Sequence, residues 1–273
     1  MYLIPYRRNP NFVDRGSVLS QVEQKLLDPA ARVALTGLGG IGKSQLAIEY
    51  CYRTRDASPE TYVFWVHASN EARFAESYKE IAMRLKLPVR QDNSGDEILQ
   101  MVKNWLVDEE NGRWVLVVDN ADDPNVFFHP NTAASMESDN VRKAGKSLAY
   151  FLPQYMNGKI VLTSRYKEVA LRLIDGPKDI LEVKPMLQQE ALVLFRKKLD
   201  VSQEDESTAL EIIEALDYIP LAIDQASAFI AQRTPQMSMS KYLQDFRSSE
   251  AAASALLSHD IFSSATTGDG MWV

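Results

Sequence analysis

The sequence predicts an α/β fold, a parallel sheet flanked by helices, with a smaller all-helical part after it. Short apolar runs alternate with longer helical stretches through the first part of the chain, the order expected of strands joined by helical crossovers. Several of those runs are nearly continuous in valine, isoleucine and leucine, as in strands covered on both faces. From Gln188 onward the strand pattern stops and only helical periodicity continues.

The candidate strands are residues 32–36, 62–66, 114–118, 159–163 and 180–183. Between them, 43–55, 70–85, 96–107, 146–152 and 167–173 read as helices. Ser94 stands three residues before Glu97, the spacing of a capping box, and marks one helix start. Beyond the sheet, 188–199, 207–216, 220–232 and 239–246 are amphipathic. The expected division is a lead-in over 1–30, an α/β domain over 31–185, a small helical subdomain over 186–250 and a poorly ordered tail over 251–273. Residues 128–145 are polar and unpatterned and read as a mobile insertion.

Composition narrows the partners. The net charge of −7 and the absence of any lysine/arginine-rich block argue against nucleic acid as a ligand. No apolar run reaches the length of a membrane span; 219–231 comes nearest, and Asp224 interrupts it. Cys51 is the single cysteine, so no internal disulfide forms, and it reads as a small apolar residue on a helix. The first residues lack the apolar stretch of a signal peptide. The expectation is a cytoplasmic protein with no membrane or nucleic-acid partner. His67, His129 and His259 are too scattered for metal-ligand spacing.

The strongest motif is Gly37-Leu38-Gly39-Gly40-Ile41-Gly42-Lys43-Ser44, a full match to the phosphate-binding loop G-x-x-x-x-G-K-[ST]. Its glycines let the backbone wrap an anion with several N–H groups, which Cβ atoms would obstruct. A strand precedes it, and Gln45 continues it into a helix whose positive end faces the phosphates. The candidate phosphate ligands are therefore Gly37, Gly39, Gly40, Ile41, Gly42, Lys43, Ser44 and Gln45. Lys43 would reach the β- and γ-phosphates, and the Ser44 hydroxyl would ligate Mg²⁺.

A second motif follows in Trp114-Val115-Leu116-Val117-Val118-Asp119, an apolar strand ending in an acid. Read alone, Asp119 is also compatible with a strand-end cap; paired with the loop upstream it becomes the second Mg²⁺ ligand. Asp119 and, more weakly, Lys43 are the candidate catalytic residues. Further strand and helical segments separate the two motif strands, which favours a sheet with another strand between them in space. Residues 159–163 supply that strand, giving a five-stranded parallel P-loop NTPase sheet of order 5-1-4-3-2. Arg165 at its carboxyl end would face a γ-phosphate, where only the triphosphate supplies the charge to pair with; a solvated helix-start arginine is the alternative.

Several blocks together resemble the NB-ARC family of STAND-class P-loop NTPases, the nucleotide switch of NOD-like receptors, in its fungal phrasing. They are the lead-in Ile4-Pro5…Asn9-Pro10-Asn11-Phe12-Val13-Asp14-Arg15, the loop GLGGIGKSQLAIEY, Val63-Phe64-Trp65-Val66-His67-Ala68, VLVVDNADD, KIVLTSR, the stretch from Leu181 to Phe195, and Tyr218-Ile219-Pro220-Leu221-Ala222. The resemblance implies that Phe12 and Val13 lie beside the adenine of ADP or ATP and that Pro220 packs on the base. It implies a nucleotide-sensing role for Thr163 and Arg165.

It further implies a regulatory switch in signal transduction and innate immunity, which assembles with itself or with related receptors. Three departures stand out. Asp14 and Tyr218 replace glycines frequent in the family, and Asn120 replaces a second acid that would orient water, so hydrolysis is expected to be slow or absent. The family's winged-helix subdomain has no counterpart in this sequence, which reads as cut short before it. A turnover ATPase or small-molecule kinase, and a non-switching relative acting through full-length partners, are the alternatives.

Overall fold

The computed structural model describes residues 1–128, 147–174, 176–202 and 205–248. His129, His259, the tail over 251–273 and all but the first residue of the 128–145 segment lie outside them. No helix among the described residues is long and apolar enough to cross a membrane.

Six parallel strands form one sheet: β1 (Tyr2–Leu3), β2 (Arg32–Thr36), β3 (Tyr62–His67), β4 (Trp114–Asp119), β5 (Gly158–Ser164) and β6 (Ile180–Glu182), in the order β1-β3-β4-β5-β2-β6. The five expected strands keep their expected order. The correction is β1, which adds a sixth strand at the edge by pairing Tyr2 with Val63 and Leu3 with Phe64. Two residues are too few to show any period in the sequence. β4 is buried along its whole length, which its unbroken apolar run requires.

Among the described residues, six helices accompany the sheet: α1 (Gly16–Lys25), α2 (Lys43–Ala57), α3 (Glu71–Arg84), α4 (Gly95–Val107), α5 (Pro124–Phe127) and α6 (Lys167–Leu173). The capping box of α4 forms, with Glu97 N–H donating to Ser94 Oγ at 3.3 Å and Ser94 N–H to the Glu97 carboxylate at 2.8 Å. The expected helix over 146–152 is a 3₁₀ turn, Leu148–Phe151, where Phe151 is fully buried. α1 was not expected. Its Leu19 and Val22, with Leu26 beyond, are buried at helical spacing, a signal the sequence carries.

The core against this sheet joins Phe64, Val66, Leu116 and Val118 to Phe74, Tyr78, Val102 and Phe127 from the helices and loops. Its polar edges are satisfied: the Tyr78 hydroxyl donates to Phe151 O at 2.7 Å, and Trp114 Nε1 donates to Leu106 O at 2.7 Å.

The chain forms two compact units that are discontinuous in sequence. The first is Met1–Arg8, Ser17–Gly37 and Lys43–Glu182; the second is Asn9–Gly16, Leu38–Gly42 and the chain from Val183. The second unit contains α7 (Gln188–Arg196), α8 (Glu206–Ala215), α9 (Pro220–Arg233) and α10 (Met239–Ser248). Phe195, Ile212, Ile213, Ile223, Phe229 and Tyr242 fill its core, with Val13 packed at the edge. The expected lead-in over 1–30 is divided between the units, and the apex of the phosphate loop belongs to the second.

Candidate functional site

In the first unit, the motif residues gather at the carboxyl ends of β2, β4 and β5. α2 starts at Lys43, directly after the glycine loop in sequence, and a helix N-terminus favours negative charge. Lys43 is 8% exposed, and its ammonium donates to Gly37 O at 2.8 Å. Burial holds its pKa below the ordinary lysine range, and Asp122 and Asp119 oppose that shift. A buried cation with anionic neighbours is stabilised further by a phosphate. Gln45 is half-buried in the same first turn.

Asp119 is fully buried at the end of β4. Its Oδ1 accepts from Ser44 Oγ at 2.7 Å and from Thr163 Oγ1 at 2.7 Å. Its Oδ2 is buried with no hydrogen-bond partner among the described residues. Burial pushes this carboxyl above its ordinary range, while the Thr163 and Ser44 hydroxyls oppose the shift. A desolvated carboxylate with an orphaned oxygen, bonded to the motif serine, fits a hard divalent cation. Among the described residues no cluster of three or more His, Cys, Asp or Glu side chains forms a metal site. Ser44 and Asp119 are the side chains here that could hold Mg²⁺, whose usual shell also takes phosphate oxygens and water.

Thr163 does more than line β5. Its hydroxyl donates to Asp119 and accepts from Asn120 N–H at 3.0 Å, and it is fully buried. Asn120 itself has φ +59°, a left-handed conformation that asparagine tolerates better than most residues. Arg165 follows β5, with its side chain 56% exposed, and donates through Nε to Asp122 Oδ2 at 2.6 Å. His67 is the register partner of Asp119 on β3, and burial lowers its pKa.

The second unit contains the loop apex. Gly40 (φ +74°) and Gly42 (φ +94°) adopt conformations open to glycine, and a Cβ on Gly40 would stand 3.1 Å from Leu221 Cβ. Leu221 N–H donates to Gly40 O at 3.2 Å, and Pro220 Cγ lies 3.9 Å from the Cβ position of Gly42. Among the described residues the amides of Gly39, Gly40 and Gly42 donate to no protein acceptor, leaving three N–H groups for an anion. Ile41 is buried, and its carbonyl accepts from Arg15 Nη1 at 3.0 Å.

Arg15 also donates to Lys184 O and, at 3.1 Å, to Pro185 O. Phe12 and Val13 are half-buried just before it, in a turn closed by Phe12 N–H on Asn9 O at 3.1 Å. Tyr218 takes φ +56°, a region that glycine occupies without cost, so the tyrosine bears backbone strain there.

No role of Arg15, Asp122 or His67 is legible in the sequence. Each acts through contacts distant in sequence, which local pattern does not reveal; only the adjacency of Asp122 to the Asp119 strand gave a hint.

The sheet order, the glycine loop and the acid-ended β4 define a P-loop NTPase. Comparison with known proteins agrees. The Walker-type ATPase PABY2304 of Pyrococcus abyssi has this fold, with a TM-score of 0.59 at 16% identity, covering 89% of this chain and 73% of that one. No family model matches the chain. An NLR-like (nucleotide-binding leucine-rich repeat) protein of Hyaloscypha variabilis is 31% identical over 94% of the chain. The regulatory protein AfsR of Streptomyces coelicolor is 26% identical over 73% of it. The chain spans only 26% and 18% of the lengths of those two relatives. Within the P-loop NTPases, the chain is thus similar in sequence to a nucleotide-binding leucine-rich repeat (NLR)-like protein.

Proposed function

We propose that this chain is an adenine-nucleotide switch module that holds ADP or ATP with Mg²⁺ and hydrolyses ATP slowly or not at all. The observation that carries this is the Ser44–Asp119–Thr163 cluster with its orphaned Asp119 oxygen, in a chain whose Lys43 and Ser44 complete the phosphate-loop motif. The loop amides, Lys43 and Gln45 would hold phosphates, and Ser44 and Asp119 would hold Mg²⁺, which screens phosphate charge when bound. By resemblance, Phe12, Val13 and Pro220 would contact the base, and Thr163 and Arg165 would respond to the γ-phosphate.

Slow hydrolysis is supported by the two nearby acids: Asp119 serves hydroxyls, and Asp122 serves Arg165, while Asn120 has no carboxylate to polarise water. Exchange of ADP for ATP would then bias a two-state equilibrium, as differential binding at the γ-phosphate must. On the family's pattern the module would act in signal transduction and innate immunity in the cytoplasm, assembling with itself or with related receptors. No nucleic acid or membrane enters this reading.

The test is to purify the chain, identify retained nucleotide by chromatography and measure steady-state phosphate release. Copurified ADP with negligible release is the expected result. Repeated turnover abolished by Lys43→Ala would instead make the chain an ATPase, and failure of either nucleotide to bind at micromolar concentration would end both readings.

A further inference from the structure

Asp122 lies three residues past the strand-end acid, on a loop turned by the left-handed Asn120 and tied to β5 by Ala121 N–H on Thr163 O at 2.9 Å. That turn places its carboxylate against the start of the segment after β5. Oδ1 accepts from Arg165 N–H at 2.6 Å and lies 3.4 Å from Ser164 Oγ, while Oδ2 accepts from Arg165 Nε at 2.6 Å. One carboxylate therefore grips both the backbone and the guanidinium of the same arginine.

The acid is the inner partner, with 18% of its side chain exposed against 56% for Arg165. Contact through Nε fixes the plane of the guanidinium and leaves Nη1 and Nη2 with no protein acceptor among the described residues. Asp122 and Arg165 both act electrostatically on Lys43, so the arginine lies within Coulombic range of the residue that meets the β- and γ-phosphates.

We propose that Asp122 is the positioning residue that presents Arg165 to a γ-phosphate, and that it thereby sets how strongly the chain distinguishes ATP from ADP. The proposal rests on the nucleotide-switch reading above. An exposed arginine left free must lose its rotamer freedom on meeting a phosphate; one held at Nε has lost most of it beforehand. Charge alone predicts the opposite sign. Removing a negative group near the phosphates would favour the more highly charged triphosphate and raise discrimination, as would removing a competitor for the arginine.

The experiment measures dissociation constants for Mg·ATP and Mg·ADP on the full chain and on Asp122→Ala, Asp122→Asn, Arg165→Ala and the Asp122→Ala/Arg165→Ala double variant. Arg165→Ala is expected to lower the ratio Kd(ADP)/Kd(ATP) about tenfold, the loss of one charge-assisted contact. Asp122→Ala should match it within about twofold, with ADP affinity kept, and the double variant should equal Arg165→Ala alone. Asp122→Asn, whose amide oxygen still accepts from Nε, should fall between; it also serves if the alanine variant does not fold.

An unchanged or raised ratio in Asp122→Ala, or a double variant well below Arg165→Ala, overturns the proposal. A wild-type chain that binds neither nucleotide, or whose ratio ignores Arg165→Ala, shows that the underlying switch reading has failed instead.

Discussion

Thr163→Val isolates what holds the Asp119 carboxyl in place. Valine keeps the shape and the β-branched fit of the strand while removing the hydroxyl. Two hydrogen bonds disappear: Oγ1 to Asp119 Oδ1 at 2.7 Å, and Asn120 N–H to Oγ1 at 3.0 Å. A bond to a charged group contributes about 1.5–3 kcal/mol and an amide left unsatisfied costs about 1–3 kcal/mol, so a loss of about 3 kcal/mol is expected. Urea unfolding followed by tryptophan fluorescence reads this directly, because Trp65, Trp105 and Trp114 all lie in the first unit.

The pH dependence carries a second check. Burial holds the folded pKa of Asp119 above its unfolded value, so between the two the folded state binds more protons and stability rises as pH falls. The Thr163 hydroxyl opposes that shift, and valine lets the carboxyl move further up. The penalty of the variant is therefore full where Asp119 is ionised and shrinks as pH drops through its folded pKa. A change below about 0.5 kcal/mol at neutral pH, within the range of an inconsequential surface substitution, would refute this account of the cluster.

Gly158→Ala should destabilise the first unit by about 3 kcal/mol in the same urea assay, because its Cβ would stand 2.0 Å from the buried Trp114 ring. Lys86→Gly should stabilise by about 0.5–1 kcal/mol in thermal or urea unfolding. Lys86 is exposed with φ +56° just past α3, and the bonds Leu87 N–H to Ala82 O and Lys86 N–H to Met83 O close the helix as a Schellman motif, where glycine is preferred. Asp119→Asn should abolish the Mg²⁺-dependent part of the stabilisation by ATP in a thermal-shift titration; at a ligand concentration of 100 Kd the wild type gains about 2.7 kcal/mol in total.

Much of the α/β architecture was legible because its signals are local. The continuous apolar runs of β2 to β5 announce buried strands, and Ser94 with Glu97 announces a helix start that forms as expected. Strand order followed from motif spacing. What escaped were features set by distant partners. β1 exists only because Val63 and Phe64 offer it an edge. The predicted 146–152 helix shortens to a 3₁₀ turn that buries Phe151.

At the candidate site, the glycine loop, Lys43, Ser44 and Asp119 declare themselves by residue type and spacing. Arg15 buried on Ile41 O and Asp122 on Arg165 do not, since an arginine or aspartate in a loop reads as solvated until its partner is seen.

The most direct test of the central claim is calorimetric titration of Mg·ADP and Mg·ATP into the purified, nucleotide-stripped chain and into Lys43→Ala. The account predicts one site per chain, with affinity in the micromolar range or tighter and reduced about tenfold or more by the variant. Absence of binding at about 1 mM nucleotide, or binding of equal strength without the Lys43 ammonium, would contradict it.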